Sequence, residues 1–229
     1  MEFEDVLGNA KWDILAEVAK GERAASDIAR ATGTSLANIS QQTKLLEAWG
    51  LLKLGKEPKT GAGKPKLLYR LNKEVAHLAI VRHGYAAKRT LSFDSTDEPL
   101  LNILFVPKSE DRYYLFKFLC QHEEYLRQCQ AVALVDADDK ELHLLVLAPE
   151  ARLDMFRKNY SKVSLKAADG KPGKSIITWT HSAQELRDGF AKGEDYYINF
   201  LKKHRILVDP NEELRLLIQE AKEVKRSEG

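Results

Sequence analysis

Residues 24–71, AASDIARATGTSLANISQQTKLLEAWGLLKLGKEPKTGAGKPKLLYRL, limit the fold more than any other part of the chain. Two short helical patterns, 25–32 and 35–49, are broken at Thr32-Gly33-Thr34. Glycine takes a positive φ at little cost, so the break reads as a tight turn. Gly50 stops the second pattern. Two β-like runs follow, 51–54 and 66–71, around the tip GKEPKTGAGKP. Upstream, residues 9–20 place Trp12, Ile14, Leu15, Val18 and Ala19 near one helical face, with Asn9 positioned to cap it.

Helix, turn, helix and basic hairpin in this order predict a winged helix-turn-helix over residues 1–72. In helix 35–49, Leu36, Ile39, Thr43, Leu46 and Trp49 are expected inward. Ser35, Asn38, Gln41, Gln42 and Lys44 are then left outward or partly so, with Thr34 or Ser35 as the cap. Amphipathic helices with a polar outer face are common. Position raises the functional reading, because a helix between a turn and a basic hairpin is the element that enters the major groove. Asn and Gln can pair bidentately with adenine. Lys56, Lys59, Lys64 and Lys66 on the hairpin tip are expected to hold phosphates without reading sequence.

The charge distribution agrees with this reading. The net charge of +2 says little. Residues 1–29 carry seven acids against Lys11, Lys20 and Arg23. Residues 30–72 carry Arg30, Lys44, Lys53, Lys56, Lys59, Lys64, Lys66 and Arg70 against Glu47 and Glu57. Such a local surplus is an electrostatic footprint for phosphates. Double-stranded DNA is therefore the expected partner.

The stretch TGTSLANISQQTKLLEAWGLL, residues 32–52, resembles the recognition stretch of ArsR-like and related archaeal or bacterial winged-helix repressors. Those proteins carry a TG-x-S turn, a helix with a polar middle and a leucine pair before a Gly-Leu into the wing. The resemblance implies a transcriptional regulator. Gln41-Gln42 stand where many relatives have Arg-His, which bears on base preference. No Cys-x-Cys pair occurs in this part of the chain, so the metal-sensing sites of some relatives have no matching residues. Regulators of this kind commonly act as homodimers. The first helix (Trp12, Ile14) or the C-terminal helix (Leu214, Leu217, Ile218) is expected to supply the seam.

Residues 73–99 read as a linker in which Ala76 to Val81 favours a strand. The boundary is expected at 94–99, DSTDEP. Residues 100–210 alternate helical and strand patterns, so the whole chain is expected to be α+β, with a C-terminal α/β domain. A charged amphipathic helix is expected over 211–229. The stretches AVALVDADDKELHLLVLAP and YYINFLKKHRILVDP resemble the core hairpin, the C-terminal helix and the final strand of the minimal nucleotidyltransferase fold. The resemblance implies a nucleotidyltransferase-like layout. In it Glu141 and His143 occupy the two carboxylate positions. No glycine occurs from residue 85 to 169, so the family's Gly-Ser turn is absent. The resemblance therefore implies a degenerate, non-catalytic domain for sensing or oligomerisation. The alternative is a nucleotidyltransferase-type enzyme fused to a DNA-binding domain.

The other chemical candidates are weaker. Cys120 and His122 lie two apart on a helical pattern and so point to different faces, which argues against a metal site with Cys129. Asp136, Asp138, Asp139 and Glu141 suit a solvated turn as well as a divalent metal. Residues 168–174, ADGKPGK, lack the spacing of a P-loop and read as a hairpin turn. No metal or cofactor is expected. A small-molecule effector remains unspecified. Two cysteines, an acidic N-terminus and no membrane-length apolar run predict a cytoplasmic protein.

Overall fold

A computed structural model of the chain describes residues 9–56, 67–91, 97–170 and 172–227. The chain divides into two compact units, Met1–Ser92 and Phe93–Gly229.

In the N-terminal unit three helices pack on a small sheet. Helix α1 spans Asn9–Ala19, α2 spans Ala25–Thr32 and α3 spans Leu36–Ala48. Strands β1 (Arg23–Ala24), β2 (Leu52–Lys56) and β3 (Leu67–Leu71) form an antiparallel sheet in the order β1-β3-β2. Gly33, at φ 66°, ends α2 in the left-handed region, where a side chain would be strained. The core is Ile14, Val18, Ile28, Ile39, Leu46 and Leu52. Thr43 is also buried, and its hydroxyl donates to the Ile39 carbonyl at 2.8 Å.

Three residues expected inward are not. Trp12 is 61% exposed, and Leu36 and Trp49 are each 53% exposed. Trp12 sits two residues from Ile14, about 200° around the helix, so it shares no face with Ile14 and Val18. Leu36 lies in the first turn of α3 and Trp49 one residue past its end, both beyond the reach of a six-residue core. Helix α2 starts at Ala25, as the sequence pattern over 25–32 predicts. Ala24 is its N-cap and makes no side-chain bond.

The segment expected as a linker contains an ordered antiparallel ribbon. Strand β4 (Ala76–Arg82) pairs with β5 (Tyr85–Leu91) in continuous register from Ala76↔Leu91 to Arg82↔Tyr85. The expected boundary falls partly on residues 92–96, which lie outside the described residues.

The C-terminal unit is a five-stranded mixed sheet between two helical layers. Its helices are α4 (Asp97–Leu104), α5 (Ser109–Gln121), α6 (Glu123–Leu126), α7 (Leu153–Tyr160), α8 (Ala183–Lys192), α9 (Asp195–Lys202) and α10 (Glu213–Ser227). Its strands are β6 (Ala131–Ala137), β7 (Glu141–Leu147), β8 (Lys162–Lys166), β9 (Pro172–His181) and β10 (Arg205–Val208), in the order β10-β6-β7-β9-β8. All pairs are antiparallel except β7 with β9. Strand alternation sorts the core into two faces. Val132, Leu142, Leu144, Val146 and Ile176 meet α4 to α7 through Ile103, Tyr114, Leu115, Phe118, Tyr125 and Phe156. Ala131, Ala133, Leu145 and Leu147 meet α8 to α10 through Leu186, Phe190, Phe200, Leu214, Leu217 and Ile218.

Two expectations change here. Leu214, Leu217 and Ile218 lie in the chain's own core, as does Ile14 in the N-terminal unit, so none of them is free to form a dimer seam. The segment 168–174 is not all turn. Strand β9 already begins at Pro172, which places Lys174 inside the sheet. The mixed α+β class is as expected. The sheet order by itself does not establish a nucleotidyltransferase layout.

Candidate nucleic-acid interface

The outer face of α3 follows from its inner one. Ile39, Thr43 and Leu46 point into the core. Opposite them lie Ala37, Gln41, Lys44, Leu45 and Ala48, all exposed. Of the five helix residues expected at the interface, Gln41 and Lys44 therefore project most directly outward. Ser35 is the N-cap, its hydroxyl accepting from the Asn38 N–H at 3.2 Å. Asn38 and Gln42 are half-buried at the side of the helix, with the Gln42 amide donating to Asn38 Oδ1 at 3.4 Å. Ala37 and Leu45 were missed because polar residues were sought. The helical wheel drawn from Ile39, Thr43 and Leu46 would have found them. An alanine on a groove-facing helix offers a methyl contact to thymine.

The wing beside α3 is built from β2 and β3. Lys53 faces Arg70 across the hairpin, and both are exposed. Arg70 pairs with Glu22 at 3.5 Å, and Arg30 with Asp27 at 3.5 Å. These two cations are thus partly neutralised, while Lys44 and Lys53 have no ion-pair partner among the described residues. Lys56 ends β2. Lys59, Lys64 and Lys66, expected to grip phosphates, lie outside the described residues.

The acids of the β6–β7 hairpin are drawn into local bonds. Asp138 Oδ1 accepts from the N–H groups of Lys140 and Glu141 at 2.6 and 2.7 Å, which holds its carboxyl below the usual value. Asp136 pairs with Lys203 at 3.1 Å, Asp139 with Lys108 at 3.4 Å, and Glu141 with Lys162 at 2.8 Å. His143 Nε2 lies 3.8 Å from Glu141. Among the described residues no three His, Cys, Asp or Glu side chains converge to hold a metal. Cys120 is exposed on α5. Cys129 is half-buried, its thiol donating to the Tyr125 carbonyl at 3.2 Å, and burial pushes it up to about 12.

Residues 7–62 match the sequence profile of the MarR family. The match takes in all of α1 to α3 and β2, and it marks the N-terminal unit as a helix-turn-helix domain of MarR type. It covers about a quarter of the chain and does not reach the C-terminal unit. It does not distinguish the ArsR-like type expected from the sequence. A solved structure of the ferric uptake regulator from Francisella tularensis with iron is similar at 17% identity and a TM-score of 0.25. The similarity covers 45% of this chain and 80% of that one. So loose a likeness carries nothing further here. No curated protein matches. Among the described residues no helix is long and apolar enough to cross a membrane.

The C-terminal unit has a pH response that follows from burial. Burial pushes His122, His181 and His204 below the usual imidazole value. The unfolded chain therefore takes up protons on these rings first as pH falls. Their stabilisation is complete above about pH 6.5 and is lost as pH drops through the folded values. Burial opposes ionisation of Glu185 too, but its bonds to Arg157 and to the Ser182 N–H outweigh this and keep its carboxyl low. That contribution is lost only at lower pH. Asp209 runs the other way. Burial raises it, so its protonation offsets part of the acid loss. The urea midpoint of the C-terminal unit is therefore expected to fall between pH 7.5 and 5.5, before carboxylates titrate, and a His181→Asn/His204→Asn variant is expected to flatten that slope.

Proposed function

We propose that the chain is a DNA-binding transcriptional regulator that reads duplex DNA with α3 and holds its backbone with the β2–β3 wing. The observation that carries this reading is the exposed Ala37, Gln41 and Lys44 face of a helix in a MarR-type domain, beside a basic hairpin. Gln41 reads a base edge and Lys44 reaches a phosphate. Lys56, Lys59, Lys64 and Lys66 add backbone contacts. Ser35 sets the helix start, and Asn38 and Gln42 brace its flank.

The C-terminal unit has a non-catalytic role in this reading, sensing an effector or pairing two copies into a homodimer in the cytoplasm. The tying of Asp136, Asp138, Asp139 and Glu141 to lysines and backbone supports a structural hairpin over a nucleotide site. An open groove of about 510 Å³ between α8 and α10, lined by Phe190, Ala191, Leu217 and Ala221 and by Arg187 and Glu220, which pair with each other at 3.4 Å, suits a small apolar effector.

The test is enrichment of bound sequences from random duplex DNA at two salt concentrations. A Gln41→Ala variant is expected to lose about 1–3 kcal/mol of discrimination at one base position while keeping its general affinity. A Lys44→Ala variant is expected to weaken all duplexes alike and lower the salt slope by about 0.9. An unenriched pool with no salt dependence removes the reading.

A further inference from the structure

The β4–β5 ribbon has no place in the function so far, and its composition is unusual. From Ala76 to Leu91 it carries Arg82, Lys88 and Arg89 with no acid. Among the described residues none of these three cations forms an ion pair; Arg82 instead lies over the Tyr85 ring at 4.9 Å. Elsewhere in the same unit Arg30 and Arg70 have acidic partners.

Every strand residue between Ala76 and Leu91 is exposed on the chain, including Ile80 at 53% and Val81 at 76%. A two-stranded ribbon alone is marginally stable in water, so one with this much apolar surface is built to be covered. Its continuous register and the His77–Thr90 bond at 2.9 Å give it a defined shape.

Pairing across the ribbon sorts the side chains onto two faces. One face carries Leu78 with Arg89, Ile80 with Ala87, and Arg82 with Tyr85. The other carries His77 with Thr90, Ala79 with Lys88, and Val81 with Ala86. Cations thus occur on both faces, with small or apolar side chains between them.

We propose that the β4–β5 ribbon is a second DNA-binding arm that enters a groove of the duplex, with Arg82 and Arg89 on one phosphate wall and Lys88 on the other. The proposal rests on the DNA reading above and extends it to a new element. Three physical points favour this occupant. The major groove is wide enough for a two-stranded ribbon. Its two walls are lined with phosphates, matching cations on both faces. A second copy of the ribbon is a poor occupant, because the same three cations would meet without an acid between them. Inside the groove the small side chains Ala79, Val81 and Ala86 on one face and Ala87 on the other would let the two walls approach closely, with Tyr85 at the tip against a sugar.

The experiment uses the full chain and a fluorescein-labelled duplex of random sequence, with affinity measured by anisotropy across a salt series. An Arg82→Ala/Lys88→Ala/Arg89→Ala variant is expected to reduce the slope of log K against log salt by about 2–3, one step of roughly 0.9 per lost phosphate contact. A photo-crosslinking phenylalanine analogue at Tyr85 is expected to give a DNA adduct on irradiation. An unchanged slope and no adduct, with binding still sensitive to Lys44→Ala, overturns the arm and leaves the α3 reading intact. A parent chain that binds no duplex removes both. A triple variant with an unchanged slope but a lower sedimentation mass assigns the ribbon to a protein interface and overturns the arm. All three substituted residues are exposed, so the far-ultraviolet circular dichroism of the variant is expected to match the parent.

Discussion

Replacement of Lys174 by methionine is expected to cost the C-terminal unit about 3–5 kcal/mol, read as a lower urea midpoint with an unchanged slope. Lys174 lies on β9 beneath α5, with 2% of its side chain exposed. Its ammonium donates to Asp111 Oδ1 at 2.6 Å and to the Asp138 carbonyl at 2.5 Å. The Asp111 side chain is 4% exposed. Methionine fills similar volume, so the loss is electrostatic and not a cavity. It strands the Asp111 carboxylate away from water and leaves the hairpin carbonyl without its donor.

The double variant Lys174→Met/Asp111→Leu separates the two effects. A buried pair replaced by apolar groups of similar volume is often neutral or better, so most of the single-variant loss is expected to return. Lys162→Ala breaks the more exposed pair with Glu141 and is expected to cost less than about 1 kcal/mol. A loss for Lys174→Met as small as that for Lys162→Ala would mean the pair is solvated in solution. Gly173, next to Lys174, belongs to the same close packing. A Cβ there would lie 2.8 Å from the Leu165 carbonyl and against the Tyr114 ring.

Lys174 and Asp111 also mark where the sequence stops being informative. Asp111 sits in the first turn of α5 and reads as an acid complementing a helix N-terminus. Lys174 sits beside a Gly/Pro segment and reads as a turn residue. Only the pairing of β9 with β8, beneath α5, brings the two together across 63 residues. Local patterns carry no such information. The parallel alignment of β7 with β9 was hidden for the same reason. By contrast, β6 and β7 are adjacent in sequence, alternate in hydrophobicity and enclose an Asp-rich turn, so their hairpin was readable.

The N-terminal helices were legible in outline, and the burial of three of their residues was not. Gly33 and Gly50 punctuate the helices, and the apolar spacing finds α3 within a residue at each end. Periodicity alone admits any apolar residue to the inner face, so Trp12, Leu36 and Trp49 were drawn inward. Conversely, a search for polar groups gave Asn38 and Gln42 the same standing as Gln41. The three differ by their angle from Ile39, a quantity the sequence contains once the core direction is known. The exposed Trp49 is not idle surface. Lys11 lies 5.8 Å over the Trp49 ring, which ties α1 to the end of α3.

The narrowness of that core gives the second large effect. Leu46→Ala is expected to cost about 2–5 kcal/mol, the usual range for a buried leucine. Leu46 is 1% exposed and sits on α3 among Ile14, Val18, Ile28, Ile39 and Leu52. Among the described residues this cluster has six buried apolar side chains, with Leu15, Leu51 and Tyr69 partly buried against it, and small domains have only a few kcal/mol to lose. The substitution is therefore expected to unfold the helix-turn-helix outright at ordinary temperature. Because the C-terminal unit has its own two-faced core, its urea transition is expected to stay where it was. Duplex binding is expected to vanish with the first transition, since the Gln41 and Lys44 face exists only while α3 is held by its opposite side. A surface control, Leu45→Ala, removes a 40%-exposed leucine of the same helix and is expected to leave both transitions in place. If Leu46→Ala shifted the two transitions together, the units would be one cooperative structure, and the C-terminal sheet would be part of what holds α3 against DNA.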